Sequence, residues 1–118
     1  MEYFLTLFQK KRGRFNVKEN QHECSVAIQV LPNVEGERVI EIVDKVIEHI
    51  KSTGLNYFVS PFETTVEGGF DELMRLVKEC QLICVCEGAP QVSSYVKIAY
   101  NPTMGVWSID KKTAKHHR

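Results

Sequence analysis

The sequence predicts an α+β fold: one four-stranded antiparallel sheet with two helices on one face. Three observations lead there. Apolar residues alternate with period two at about 23–31 and again at about 92–100, which marks two strands. Two longer stretches, about 36–53 and 70–86, carry apolar residues at helical spacing. Between those helices lie two short strand-like runs broken by Ser60-Pro61.

The elements follow in order. In the first strand Cys24, Val26, Ile28 and Val30 alternate with Ser25, Ala27 and Gln29, and Pro32-Asn33 ends the run. The first helix sets Val39, Val43, Val46, Ile47 and Ile50 in one stripe, with Lys51 in the last turn to suit the dipole. Gly54 is placed to take the left-handed conformation that stops it. The second strand, about 55–60, carries Tyr57, Phe58 and Val59. A third, about 63–67, is rich in threonine and valine, and Gly68-Gly69 frees the backbone for a turn. The second helix has Asp71 and Glu72 in its first turn and buries Leu73, Val77, Cys80 and Cys84, with Phe70 and Leu76 beside them; Gly88 stops it. The last strand sets Val96 and Ile98 against Tyr95, Lys97 and Ala99, and Asn101-Pro102 closes it. The order β-α-β-β-α-β, with right-handed crossovers, is the ferredoxin-like plait. The expected organisation is an extension at 1–21, one domain at 22–101 and a basic tail at 102–118 that adds a little packing through Trp107 and Ile109 before it frays. The extension is either one extra edge strand or partly disordered.

The chain has 118 residues, enough to bury a core without disulfides or a structural metal. Its formal net charge is zero, which argues against a nucleic-acid partner held by bulk charge and removes one barrier to self-association. Basic residues gather at the ends, Lys10, Lys11, Arg12 and Arg14 near the start and Lys111, Lys112, Lys115 and Arg118 near the finish. They are read as solvated tails in preference to a phosphate-binding patch. No segment approaches the roughly 18 apolar residues that a membrane span requires. The apolar start is too short for a signal-peptide core, so a cytoplasmic location is expected. Cys24, Cys80, Cys84 and Cys86 lack the usual zinc spacing; Cys80 and Cys84 share the buried helix face and are expected to pack as small hydrophobes, buried and reduced.

Ser25, Ala27, Gln29, Thr65, Glu67, Tyr95, Lys97 and Ala99 should line the face without helices. These residues are smaller and less charged than a solvated face usually carries. Two compatible readings follow: the face is covered by another subunit's sheet, or it holds a polar pocket at or near that interface. By residue type alone, Glu67 is an exposed glutamate or the ion-pair partner of Lys97.

The run Ser60-Pro61-Phe62-Glu63-Thr64-Thr65-Val66-Glu67-Gly68 resembles the signature of the thiamine-binding, Ykof-like family, roughly S-P-x-G-T-T-x-E-G. Gly54-Leu55-Asn56-Tyr57 precedes it as the family pattern requires, Leu31-Pro32 ends the first strand, and Lys97-Ile98 matches a K-I pair in the last. Glu63 stands where the family usually has glycine, and Gln81 where many members have histidine. The resemblance implies the same ferredoxin-like fold, assembly through sheets into a homodimer or homotetramer, and binding of thiamine or its hydroxymethylpyrimidine moiety without conversion. On that reading the expected ligand site has Glu67 as acceptor, with Thr64, Thr65, Ser60 and Gln29 as neutral partners and Phe58 or Tyr95 against the ring.

A structural, assembly or regulatory protein with no thiamine ligand is the alternative, and the small-residue face suits an assembly role. Catalysis ranks behind both, because the sequence shows no Ser-His-Asp order, no H-E-x-x-H and no phosphate loop. His49 falls on the polar side of the first helix. An RNA-binding sheet would need an aromatic and basic run that the third strand lacks. The expectation is therefore a non-catalytic small-molecule binder with no metal, no nucleic-acid partner and no membrane.

Overall fold

The computed structural model describes residues 21–117, so the expected extension lies outside the described residues except for Gln21. The elements are β1 (Cys24–Pro32), α1 (Arg38–Ser52), β2 (Asn56–Val59), β3 (Thr64–Gly68), α2 (Phe70–Cys86) and β4 (Val92–Tyr100). A short α3 (Ile109–Thr113) and a 3₁₀ turn (Ala114–His116) follow. The strand order is β2-β3-β1-β4, and each neighbouring pair is antiparallel.

Alternation decides which side of each strand is buried. Cys24, Val26, Ile28 and Val30 of β1 join Val66 of β3 beneath the two long helices. From the helices come Ile42, Val46 and Ile50 of α1 and Leu73, Leu76, Cys80 and Cys84 of α2. The buried row of α1 is thus 42-46-50, one position away from part of the expected stripe. Val39, Val43 and Ile47 are only half-buried, because their row lines a cleft between α1 and the β2–β3 turn. Burial in this apolar layer pushes the Cys80 thiol up to about 12, with the neighbouring Cys84 and Glu79 adding to the shift.

The long helices end where glycine permits, Gly54 at φ 76° and Gly88 at φ 103°. Gly68 and Gly69 act differently from the expectation. Neither has positive φ. Space at Gly68 is tight, since a Cβ there would lie 3.0 Å from Glu72 Oε1 and 3.4 Å from Leu55 Cδ2, so a larger residue would push on the Glu72 side chain. Glu72 uses that oxygen to accept from the Gly69 N–H at 3.4 Å, at the start of α2. At the other end of α2, Glu87 accepts from Lys45 at 3.0 Å and from Arg38 at 3.3 Å, tying α2 to α1. The Lys45 bond, assisted by Arg38, outweighs desolvation and holds the Glu87 carboxyl below its ordinary value.

Candidate functional site

The face opposite the long helices is partly covered by the chain itself. Residues 101–109 contain the instructions. Asn101 Oδ1 accepts from the backbone N–H groups of Thr103 and Met104 at 3.3 and 3.0 Å, an Asx-type turn that Pro102 favours. Gly105 at φ 80° completes the reversal. Val106 N–H then donates to His22 O at 2.8 Å, which pins the returning strand of backbone beside the start of β1. Ser108 caps α3, its hydroxyl accepting from Lys111 N–H at 3.0 Å. Val106 and Ile109 are both buried, although they stand apart from the main core.

Glu67 fastens this cover. Its register partner is Ser25, so it faces away from the long helices. Its side chain is nonetheless buried, the residue being 3% exposed. One oxygen accepts from Ile109 N–H at 3.0 Å, the first N–H of α3; the other accepts from Asn56 Nδ2. A buried carboxylate is tolerated when its lone pairs are filled by donors in this way. The expectation of an exposed glutamate or a Glu67–Lys97 pair is therefore corrected. Lys97 Nζ instead lies 3.2 Å from Glu63 Oε1, across the face from the turn.

Under α3 lies a pocket of about 280 Å³. Its floor is the sheet: Ser25 and Ala27 of β1, Thr65 of β3, Lys97 and Ala99 of β4. Small side chains there leave the space. Phe58 of β2 forms one wall, and Ile109, Lys112 and Thr113 of α3 form the roof. The Phe58 ring is itself held from outside by His117, with ring centroids 5.6 Å apart. The result is a cavity with one aromatic wall, three hydroxyl-bearing residues and two amines.

The five residues expected at the site do not converge. Thr65 lines the pocket. Glu67 lies beneath α3 as its anchor. Thr64 pairs in register with Ile28, points to the helix side and is 5% exposed. Ser60 closes the β2–β3 turn, its hydroxyl donating to Glu63 O at 2.7 Å. Gln29, Ser60 and Thr64 instead line the cleft under α1. Adjacent residues of one strand cannot share a face, so Thr64 and Thr65 were bound to separate. Ser25, Ala27, Lys97 and Ala99, expected on this face but not named as ligand residues, line the pocket too, and Ile98, Ile109, Lys112 and Thr113 were missed. Those on α3 had a signal: Ser108 followed by Asp110 reads as a helix start, with Val106 and Ile109 spaced to share one side. Of the aromatic residues expected against a ligand ring, Phe58 is in the wall and Tyr95 is exposed.

Comparison with known proteins supports the fold and gives the family. A model of the thiamine-binding protein family matches residues 26–117, including the α3 segment. The UPF0045 protein of Clostridium perfringens is 50% identical over 93 residues, 79% of this chain and 96% of that protein. Among solved structures, a DUF77 domain of unknown function from Bacillus cereus superposes with a TM-score of 0.73 at 38% identity, covering 81% of this chain and 91% of that one. A Thermotoga maritima protein, a candidate for thiamine biosynthesis or salvage by its description, gives a TM-score of 0.70 at 38% identity over 79% of this chain and 97% of its own. With the family model spanning nearly the whole described chain, and a relative at this identity covering it, the protein is a member of the thiamine-binding protein family.

Proposed function

We propose that the chain binds thiamine or a related hydroxymethylpyrimidine without converting it, in the pocket between the sheet and α3. The observation that carries this reading is the pocket's composition within a thiamine-binding family. Phe58 offers a face for a flat heterocycle. Ser25 and Thr65 offer hydroxyls that can both donate and accept to ring nitrogens and an amino group. The described residues that line the pocket include no histidine and no carboxylate, so this wall is suited to holding a ring in preference to moving protons. Glu67 serves by keeping α3 closed over the site.

The working form is proposed to be a homodimer or homotetramer in the cytoplasm. β4 is an edge of the sheet, and its Tyr95 and Ile98 are 66% and 52% exposed. A long edge with exposed apolar side chains is a ready partner for a second copy. Because α3 covers part of the helix-free face, that face is less available to a sister sheet than its small residues suggested.

Titration calorimetry with thiamine and hydroxymethylpyrimidine, paired with light scattering, tests the proposal. Saturable binding by a protein of two or four chains, weakened at least tenfold by Phe58→Ala, is the expected result. An oligomer that binds neither compound would favour the assembly role instead.

A further inference from the structure

We propose that this pocket prefers an anionic ligand, the phosphate monoester of a pyrimidine-class compound over its parent alcohol. The inference rests on the pyrimidine-binding reading above and adds the charge of the ligand. Lys97 of β4 stands on the floor of the pocket and Lys112 of α3 on its roof, so lysines from two different elements line it. Among the described residues that line it there is no carboxylate.

Glu67 and Glu63, the glutamates of β3 and the turn before it, are both engaged. Glu67 is sealed beneath α3 by Ile109 N–H and Asn56. Glu63 holds Lys97 Nζ at 3.2 Å, but this pair is exposed, with 75% of the Lys97 side chain open. Exposed pairs hold their partners weakly, so Lys97 can turn to an incoming phosphate at little cost. Lys111, beside Lys112 in sequence, is directed elsewhere: its Nζ lies 4.3 Å from the centre of the Trp107 ring. The two lysines of one short helix thus differ in place, and only Lys112 lines the pocket.

A cationic thiazolium in this space would face two like charges with no acidic partner in the wall. A phosphate would gain two amines, with the Thr65 and Ser25 hydroxyls as further donors. The tail lysines read from the sequence as solvated charge therefore include one with a ligand-directed place.

The test is calorimetry on the intact protein with hydroxymethylpyrimidine, its phosphate ester, thiamine and thiamine monophosphate. Each ester is expected to bind about tenfold more tightly than its parent alcohol, the low end for a charge-assisted contact. That advantage should shrink with added salt. Lys112→Gln should reduce the ester-to-alcohol ratio several-fold, and Lys111→Gln should leave it as in the parent protein. Lys97→Gln provides a second variant should Lys112→Gln disturb α3, which the thermal melt would reveal. Equal affinities for ester and alcohol, or a ratio that neither pocket lysine controls, would overturn the inference while leaving pyrimidine binding in place. Failure of all four compounds to bind would overturn both.

Discussion

Replacing Glu67 separates an anchoring carboxylate from a ligand-binding one. In Glu67→Gln the shape is kept and one oxygen can still accept from Ile109 N–H. The new amide nitrogen then meets Asn56, whose own amide can rotate to present its oxygen. Both contacts survive as neutral hydrogen bonds, so the loss is the charge assistance, about 1 kcal/mol. Glu67→Ala has no such repair. It leaves Ile109 N–H and the Asn56 amide without their acceptor, each at about 1–3 kcal/mol when buried. The total is capped by what docking of α3 contributes, since the segment can release as a unit. Burial of Val106 and Ile109 contributes about 1.5–3 kcal/mol each before the ordering of the backbone is subtracted. A net loss of about 2–3 kcal/mol is expected for Glu67→Ala, or roughly 8–12 °C in melting temperature for a domain this small. Calorimetric melting gives the magnitude, and hydrogen exchange at the Ile109 amide gives the location. Protection there should fall sharply in Glu67→Ala and modestly in Glu67→Gln, while the amides of β1 keep theirs. An unchanged Ile109 exchange rate in Glu67→Ala would refute the anchoring role.

Four further outcomes follow from the same geometry. Thr65→Ala should weaken ligand binding with little effect on melting, whereas Thr64→Val should leave affinity unaltered; titration of the two variants side by side checks that opposite faces do different work. Cys80 and Cys84 should resist a bulky thiol reagent in the native protein at pH 8 while exposed Cys86 reacts, as mass spectrometry would show. Because the Cys80 thiol is raised from 9.0 to about 12, its contribution to stability is complete below pH 9 and is lost as pH climbs toward 12. Glu87 runs the other way: its carboxyl is held below 4.5, so its contribution is present above that pH and is lost on acidification through the lower folded value. Glu87→Gln should therefore flatten the acid limb of a melting-temperature profile, and an unaltered limb would count against the Arg38–Glu87–Lys45 cluster.

Much of the architecture was legible in the sequence because it depends on local periodicity. The alternation of Cys24, Val26, Ile28 and Val30 specified which face of β1 is buried whatever its neighbours were. The second helix and the last strand were placed at 70–86 and 92–100, as observed, because glycine and Asn-Pro mark their ends. The parity of Thr65, Glu67, Lys97 and Ala99 likewise set them on the face away from the long helices. Parity also separated Thr64 from Thr65, and the family motif hid this by running the two together.

The choice of partner depended on the tertiary structure. Nothing local joins Glu67 to Ile109, 42 residues away; that bond exists because a turn built on Asn101, Pro102 and Gly105 sends the chain back across the sheet. Lys97 could have met either glutamate of its face, and the span over Ala27 brought it to Glu63. The pocket belongs to the same category. Its floor is a row of small residues that the sequence displays openly, but a floor becomes a cavity only when something roofs it. Val106 and Ile109 gained more by burial against that face than by remaining in water, and α3 came with them.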